Sequence, residues 1–215
     1  RTHAAAQVPG SVRALRAAGI TNLSLDLIYA LPEALGRDWA ADLDRALELA
    51  PDHLSLYGLT VESQTPLGRW VARGAALPPP EERYAAEFLA ARERLTAAGF
   101  RHYEVSNYGR PGREAVHNSA YWRRAPYLGL GPSAHSAVGA HRWWNRREYA
   151  AWGAALEAGA TSVEAEERLE PEAVRVEDLY LGLRTDGGVE EGSLPGSLVQ
   201  LWAHHGWARA AGGRV

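Results

Sequence analysis

The chain has 215 residues with 23 basic and 26 acidic side chains, a net charge of −3, 46% hydrophobic residues and no cysteine. Such a balance gives no long-range pull towards nucleic acid or anionic lipid. The lack of thiols excludes disulfides, zinc–thiolate sites, catalytic thiols and cysteine-ligated iron–sulfur clusters within these residues.

No apolar run reaches the roughly 20 residues of a membrane-spanning helix and no signal peptide is visible, so a cytoplasmic location is expected. All the basic residues are Arg, a bias that reads as genomic composition rather than function. The chain opens mid-pattern at Arg1-Thr2-His3, contains no Met and stops at Gly213-Arg214-Val215. Those features lead to the expectation that it is part of a longer protein.

In chain order, the spacing of Val12 and Leu15 predicts a helix over Ser11 to Ala18, ended by Gly19. Asn22 to Tyr29 alternates as a strand. Arg37 to Ala50 is amphipathic, with Trp39, Leu43, Ala46 and Leu47 on one face and Pro51 as its stop. His53 to Leu59 reads as a second strand, Glu81 to Ala98 as a long helix ended by Gly99, and Arg101 to Asn107 as a third strand.

Strands separated by helices imply parallel pairing through right-handed crossovers. Leu25, Leu27, Leu54, Leu56, Tyr103 and Val105 would then form one apolar face. Ser24, Asp26, Ser55, Tyr57, Glu104 and Ser106 would form the other. A polar face is either solvated or, in a curved α/β sheet, the wall of a functional cavity near the strand ends. Three strands cannot close a barrel and leave open edges, so a further segment or a partner is expected to cover them.

From Leu128 the pattern changes to a glycine-rich loop or short strand at Gly129 to Ser136. Helices are predicted over Arg146 to Ala158, Pro171 to Leu183 and Ser197 to Ala210, with a hairpin turn at Gly212 to Val215. This order is compatible with a small, mostly helical, winged-helix-like tail. Glu164 to Glu167 reads as a solvated stretch.

Among chemistry-bearing residues, Asp26 could accept hydrogen bonds from a ribose or an ammonium group, or could simply cap the following loop. His117-Asn118-x-x-Tyr121-Trp122 places an imidazole and a phenol on one face of a helical turn. That set suits an axial haem ligand beside aromatic surfaces. On residue type alone, a loop whose aromatics pack into the core is the simpler reading. His117, His135 and His141 lack zinc-site spacing. Gly129-x-Gly131 lacks the third glycine of a dinucleotide fingerprint and reads as a close backbone approach. Arg123-Arg124 and Arg146-Arg147 are isolated basic pairs that are solvated or meet propionate or phosphate groups.

Five motifs occur in order: Asn22 to Pro32 (NLSLDLIYALP), Pro51 to Thr60 (PDHLSLYGLT), Tyr103 to Asn107 (YEVSN), His117 to Trp122 (HNSAYW) and Gly129 to Ser136 (GLGPSAHS). Together they resemble the HemW group of radical S-adenosylmethionine (SAM) proteins, relatives of the oxygen-independent coproporphyrinogen III oxidase HemN. The resemblance runs from Arg1 to about Arg184 and more loosely beyond.

It implies an α/β fold: the second half of a partial (β/α)6 barrel over residues 1–127, then a C-terminal region over residues 128–215. It implies SAM and a [4Fe–4S] cluster whose cysteines lie upstream of this chain, so that the chain alone would be inactive in radical chemistry. By motif match, Arg1, Asp26, Thr60 and His135 are the expected SAM-pocket contacts. His117, Asn118, Tyr121 and Trp122 form the motif that favours a haem chaperone over coproporphyrinogen decarboxylation. The implied partners are haem as cargo, the other half of the barrel and haem-accepting, membrane-associated proteins.

Overall fold

The computed structural model describes residues 4–215. Arg1, one of the expected cofactor contacts, lies outside the described residues. The chain forms two compact units, the first ending at Ala115 and the second beginning at Val116.

The first unit opens with α1 (Val8–Ala17), which has Pro in its first turn. Gly19, at φ +86°, ends it. Then come β1 (Ser24–Tyr29), α2 (Trp39–Glu48), β2 (His53–Gly58), α3 (Pro66–Ala72), α4 (Glu81–Ala97), β3 (Arg101–His102) and β4 (Asn107–Gly109). Asp38 caps α2 by accepting from the Ala41 N–H at 3.1 Å, and Thr65 does the same for α3 at Gly68. The strand order is β1-β2-β4-β3. β1 and β2 run parallel with Ser24 opposite His53 and Asp26 opposite Ser55, and α2 is their crossover.

The core lies between this sheet and α2 and α4. Trp39, Leu43 and Ala46 from α2 meet Leu54 and Leu56 from β2, Ala91 and Leu95 from α4, and Phe100 and Tyr108. Leu25 and Leu27 pack against this cluster, so the predicted apolar face of β1 and β2 is present. Arg94 on α4 pairs with Asp44 on α2, and the Trp39 indole donates to the Glu87 carbonyl at 2.9 Å.

The expected third parallel strand is corrected. Arg101–His102 and Asn107–Gly109 are two short strands of an antiparallel hairpin, and it is β4 that pairs antiparallel with β2. The chain reverses because Glu104 makes a turn: its carboxylate accepts from the Ser106 N–H at 3.1 Å and from the Asn107 side-chain amide. Local side-chain bonds of this kind compete with a ladder and here defeat the alternating pattern. The reversal also moves Tyr103 and Val105 off the apolar face. Tyr103 turns onto the polar side, and Val105 is 45% exposed.

The second unit contains α5 (Val116–Trp122), β5 (His135–Val138), β6 (His141–Asn145), α6 (Tyr149–Glu157), β7 (Val163–Arg168), α7 (Pro171–Gly182) and α8 (Gly196–His204). Besides the predicted helices it holds an antiparallel sheet, β5-β6-β7, that the sequence pattern did not reveal. The acidic stretch Glu164 to Glu167 lies in β7, where Glu166 opposes Trp143 and Glu167 opposes Arg142. The turn at the end of the chain closes as expected: Gly212 and Gly213 have positive φ between the bridged residues Ala211 and Arg214.

Leu95 is fully buried where α4 meets the sheet. Leu95→Ala should lower unfolding stability by about 2–5 kcal/mol in urea titrations. A loss below about 1 kcal/mol would contradict this packing.

Candidate functional site

The polar side of the β1–β2 pair carries the first cluster of chemistry-bearing groups. His53 opens β2 and is only 6% exposed. Its Nδ1 lies 2.8 Å from the Ser24 hydroxyl and its Nε2 2.8 Å from the Tyr103 hydroxyl. The Tyr103 oxygen also accepts the Ala115 N–H at 3.1 Å. The proton roles close when the Tyr103 hydroxyl donates to Nε2 and Nδ1–H donates to Ser24, an assignment made from the network.

Burial disfavours the imidazolium and pushes His53 below its ordinary value, although Asp26, Glu104 and Glu114 pull the other way. Burial likewise raises the Tyr103 phenol. Both rings are therefore neutral at pH 7, and the cluster is a fixed hydrogen-bond chain.

Asp26 lies mid-strand, two residues from Ser24 on the same side, and is exposed. It makes no hydrogen bond or ion pair to another described residue. Its exposed carboxylate can accept hydrogen bonds from ribose hydroxyls or an ammonium group. Thr60 follows β2 and is exposed. A cluster finds no fit within the chain, because no residue supplies a thiolate.

In the second unit the His117 and Tyr121 side chains meet on α5, as the four-residue spacing requires. The Tyr121 hydroxyl is 3.0 Å from His117 Nε2, and the rings stand edge to face with centroids 4.9 Å apart. Both residues are exposed. Tyr127 extends the set with an edge contact to Tyr121 at 4.8 Å. Trp122 is half-buried, and its indole N–H has no hydrogen-bond partner among the described residues. Asn118 is half-buried on the same helix. For Nε2 of His117 to ligate an iron, the Tyr121 hydroxyl must give way. Ring edges at the surface, rather than a closed cavity, make up this arrangement. The nearby cavity of about 160 Å³ beside Tyr121 and Tyr127 is smaller than the roughly 300 Å³ where small-molecule pockets begin.

The glycine-rich loop is a close backbone approach, as read from its sequence. A Cβ on Gly129 would fall on the His135 carbonyl, and the Gly129 N–H donates to the buried Ser136 hydroxyl at 3.0 Å. His135 itself is exposed on β5 and stacks on Trp144 with centroids 5.6 Å apart. Asp26 and Thr60 therefore belong to the first unit, and His135 and the α5 motif to the second. Sequence reasoning missed His53, Tyr103 and Arg124 as site-shaping residues. Strand alternation put His53 on the side of Ser55 from the start, so that signal was available.

Among known proteins, Heme chaperone HemW of Synechocystis sp. is 40% identical over 198 residues, 91% of this chain and 48% of that protein. Heme chaperone HemW of Mycobacterium tuberculosis is 36% identical over 88% of this chain and 48% of that protein. Radical S-adenosyl methionine domain-containing protein 1, mitochondrial, of Mus musculus is 41% identical over 63% of this chain and 30% of that protein. The chain spans about half the length of the curated HemW relatives it matches. In fold, it is similar to the solved coproporphyrinogen III oxidase (HemN) from Escherichia coli, a radical SAM enzyme. The TM-score is 0.67 over 92% of this chain and 48% of that one, at 19% identity, a likeness of fold alone. No protein-family model matches the chain.

The His53 environment sets a pH signature. NMR titration should place its midpoint below 6.5. The stability contributed by keeping this ring neutral is then complete above 6.5 and is lost as pH falls from there towards the folded midpoint, because the unfolded chain takes up the proton first. A midpoint at or above 6.5 would contradict the buried, neutral assignment.

Proposed function

We propose that this chain, a homologue of the HemW proteins over nine-tenths of its own length, is one half of a radical SAM haem chaperone. The whole protein would bind haem and pass it to haem-dependent proteins, membrane-associated ones among them, from the cytoplasm. The observation that carries this reading is the 40% identity over 91% of the chain to a protein named Heme chaperone HemW.

The first unit supplies the second half of the partial (β/α)6 barrel. Its β1 has a neighbour on one side only among the described residues, and an open edge of that kind suits strands from the other half of the protein. That half would also bring the cysteines. When bound, the cluster and SAM supply one-electron chemistry to the whole protein. This chain's share is to hold SAM: Asp26 accepts its ribose hydroxyls, with Thr60 of the same unit as a further contact.

The haem contacts fall on α5. His117 is the proposed iron ligand, with the Tyr121 hydroxyl hydrogen-bonded to it and Asn118 and Trp122 completing the motif. Coproporphyrinogen decarboxylation is the weaker reading, because its support is a fold neighbour at 19% identity.

In the intact protein, His117→Ala should weaken haem binding by roughly tenfold or more and move the Soret band. Anaerobic incubation with coproporphyrinogen III, SAM and a reductant should give no turnover. An unchanged Soret spectrum and affinity would remove His117 as the ligand, and robust turnover would overturn the chaperone reading.

A further inference from the structure

Arg124 sits two residues beyond α5 at φ +49°, in the left-handed region normally left to Gly or Asn. An L-residue there is strained, because its Cβ crowds the following carbonyl oxygen. Strain of this kind persists only where the surroundings over-determine it, and it often marks a functional constraint. The surroundings here are specific. The Arg124 backbone N–H donates to the Tyr121 carbonyl at 3.0 Å, and the Ala125 N–H reaches back to the Ala120 carbonyl at 2.9 Å, which closes the end of α5.

The side chain is only 17% exposed and uses its whole fork. Nη2 donates to the Gly139 carbonyl at 3.1 Å in the β5–β6 turn, and Nη1 donates to Asp178 at 3.2 Å. Nε lies 2.8 Å from Glu177 Oε2, an ionic contact without hydrogen-bond alignment, since that buried oxygen takes no hydrogen bond. Glu177 is in turn held by Arg142 from β6, whose guanidinium this bond pushes further towards the charged form. One side chain thus ties α5 to α7 and to the sheet.

A helix of seven residues is too short to persist on its own propensity, because nucleation dominates at that length. Contacts beyond its own backbone must keep His117 and Tyr121 on one face, and Arg124 supplies one set of them at the end of α5. We propose that Arg124, braced by Glu177, is the positioning residue of the His117–Tyr121 pair. It fixes α5 as a helix and so sets the ring geometry at which haem is received. This deepens the haem reading above and rests on it for the haem-binding consequence, though not for the order of α5.

The test uses the intact protein with Arg124→Ala, Arg124→Lys and Glu177→Gln. Hydrogen exchange of the α5 and β5–β7 amides is read beside a haem titration. Arg124→Ala should lose α5 protection while the sheet keeps its own, weaken haem binding by about tenfold or more, and move the Soret band as His117→Ala does. Arg124→Lys should restore little, because a compact ammonium cannot span the separate acceptors that the planar guanidinium fork reaches. If α5 protection and haem affinity both stay within about twofold of the parent, or if Lys restores them fully, the proposal is overturned. If Arg124→Ala also opens the sheet, Glu177→Gln decides by the same two readings, since it keeps the volume and removes one charge. If His117→Ala itself binds haem normally, the haem reading falls, and α5 exchange still decides the positioning claim.

Discussion

The first unit depends on one constraint: β1 and β2 run parallel, so the chain between them must cross over a face of the sheet. α2 makes that crossover and lays Trp39, Leu43 and Ala46 on the leucines of both strands, with α4 beside it. The opposite face is thereby left for polar groups. Ser24, His53 and Tyr103 close its start with hydrogen bonds, while Asp26 stays exposed further along. The same strand pair separates a packed side from a side free to meet a ligand. Ala30, just beyond β1, is fully buried in a left-handed conformation and donates its N–H to Glu87 on α4 at 2.6 Å. The helix that fills the core therefore also shapes the loop at the strand end, where α/β sheets take their ligands.

The second unit works differently. Its motif helix is short and surface-lying, and its order is borrowed from α7 and the β5–β6 turn through Arg124. The glycine-rich segment is held in a comparable way. The Asn145 side chain donates to the Gly131 carbonyl at 2.9 Å, and the Ser133 N–H to the Arg146 carbonyl at 3.0 Å. Both chemistry-bearing segments, the short helix α5 and the loop before β5, are held by specific polar bonds.

The sequence made the parallel pair legible, because alternation from Asn22 to Leu27 and the spacing of Trp39, Leu43 and Ala46 agree with their burial. It also made the His117–Tyr121 contact legible, since residues four apart on a helix must meet. The Tyr103 turn was hidden: alternation predicts a strand, and only the geometry of Glu104 with Ser106 and Asn107 breaks it. The β5-β6-β7 sheet was hidden because its strands carry adjacent Trp143 and Trp144 and a run of glutamates, which give no two-residue period. Arg124 looked like half of a solvated basic pair, and nothing in its sequence neighbourhood points to Glu177 or Gly139.

On α5, a seven-residue helix, an imidazole and a phenol meet at the surface, and Arg124 closes the helix end. The most direct measurement is hydrogen exchange of the intact protein with and without haem, resolved to peptides covering Val116 to Tyr127. Haem should slow exchange there and leave the core strand β2 unchanged. Slowed exchange confined to other segments, with none between Val116 and Tyr127, would contradict the assignment of haem to α5.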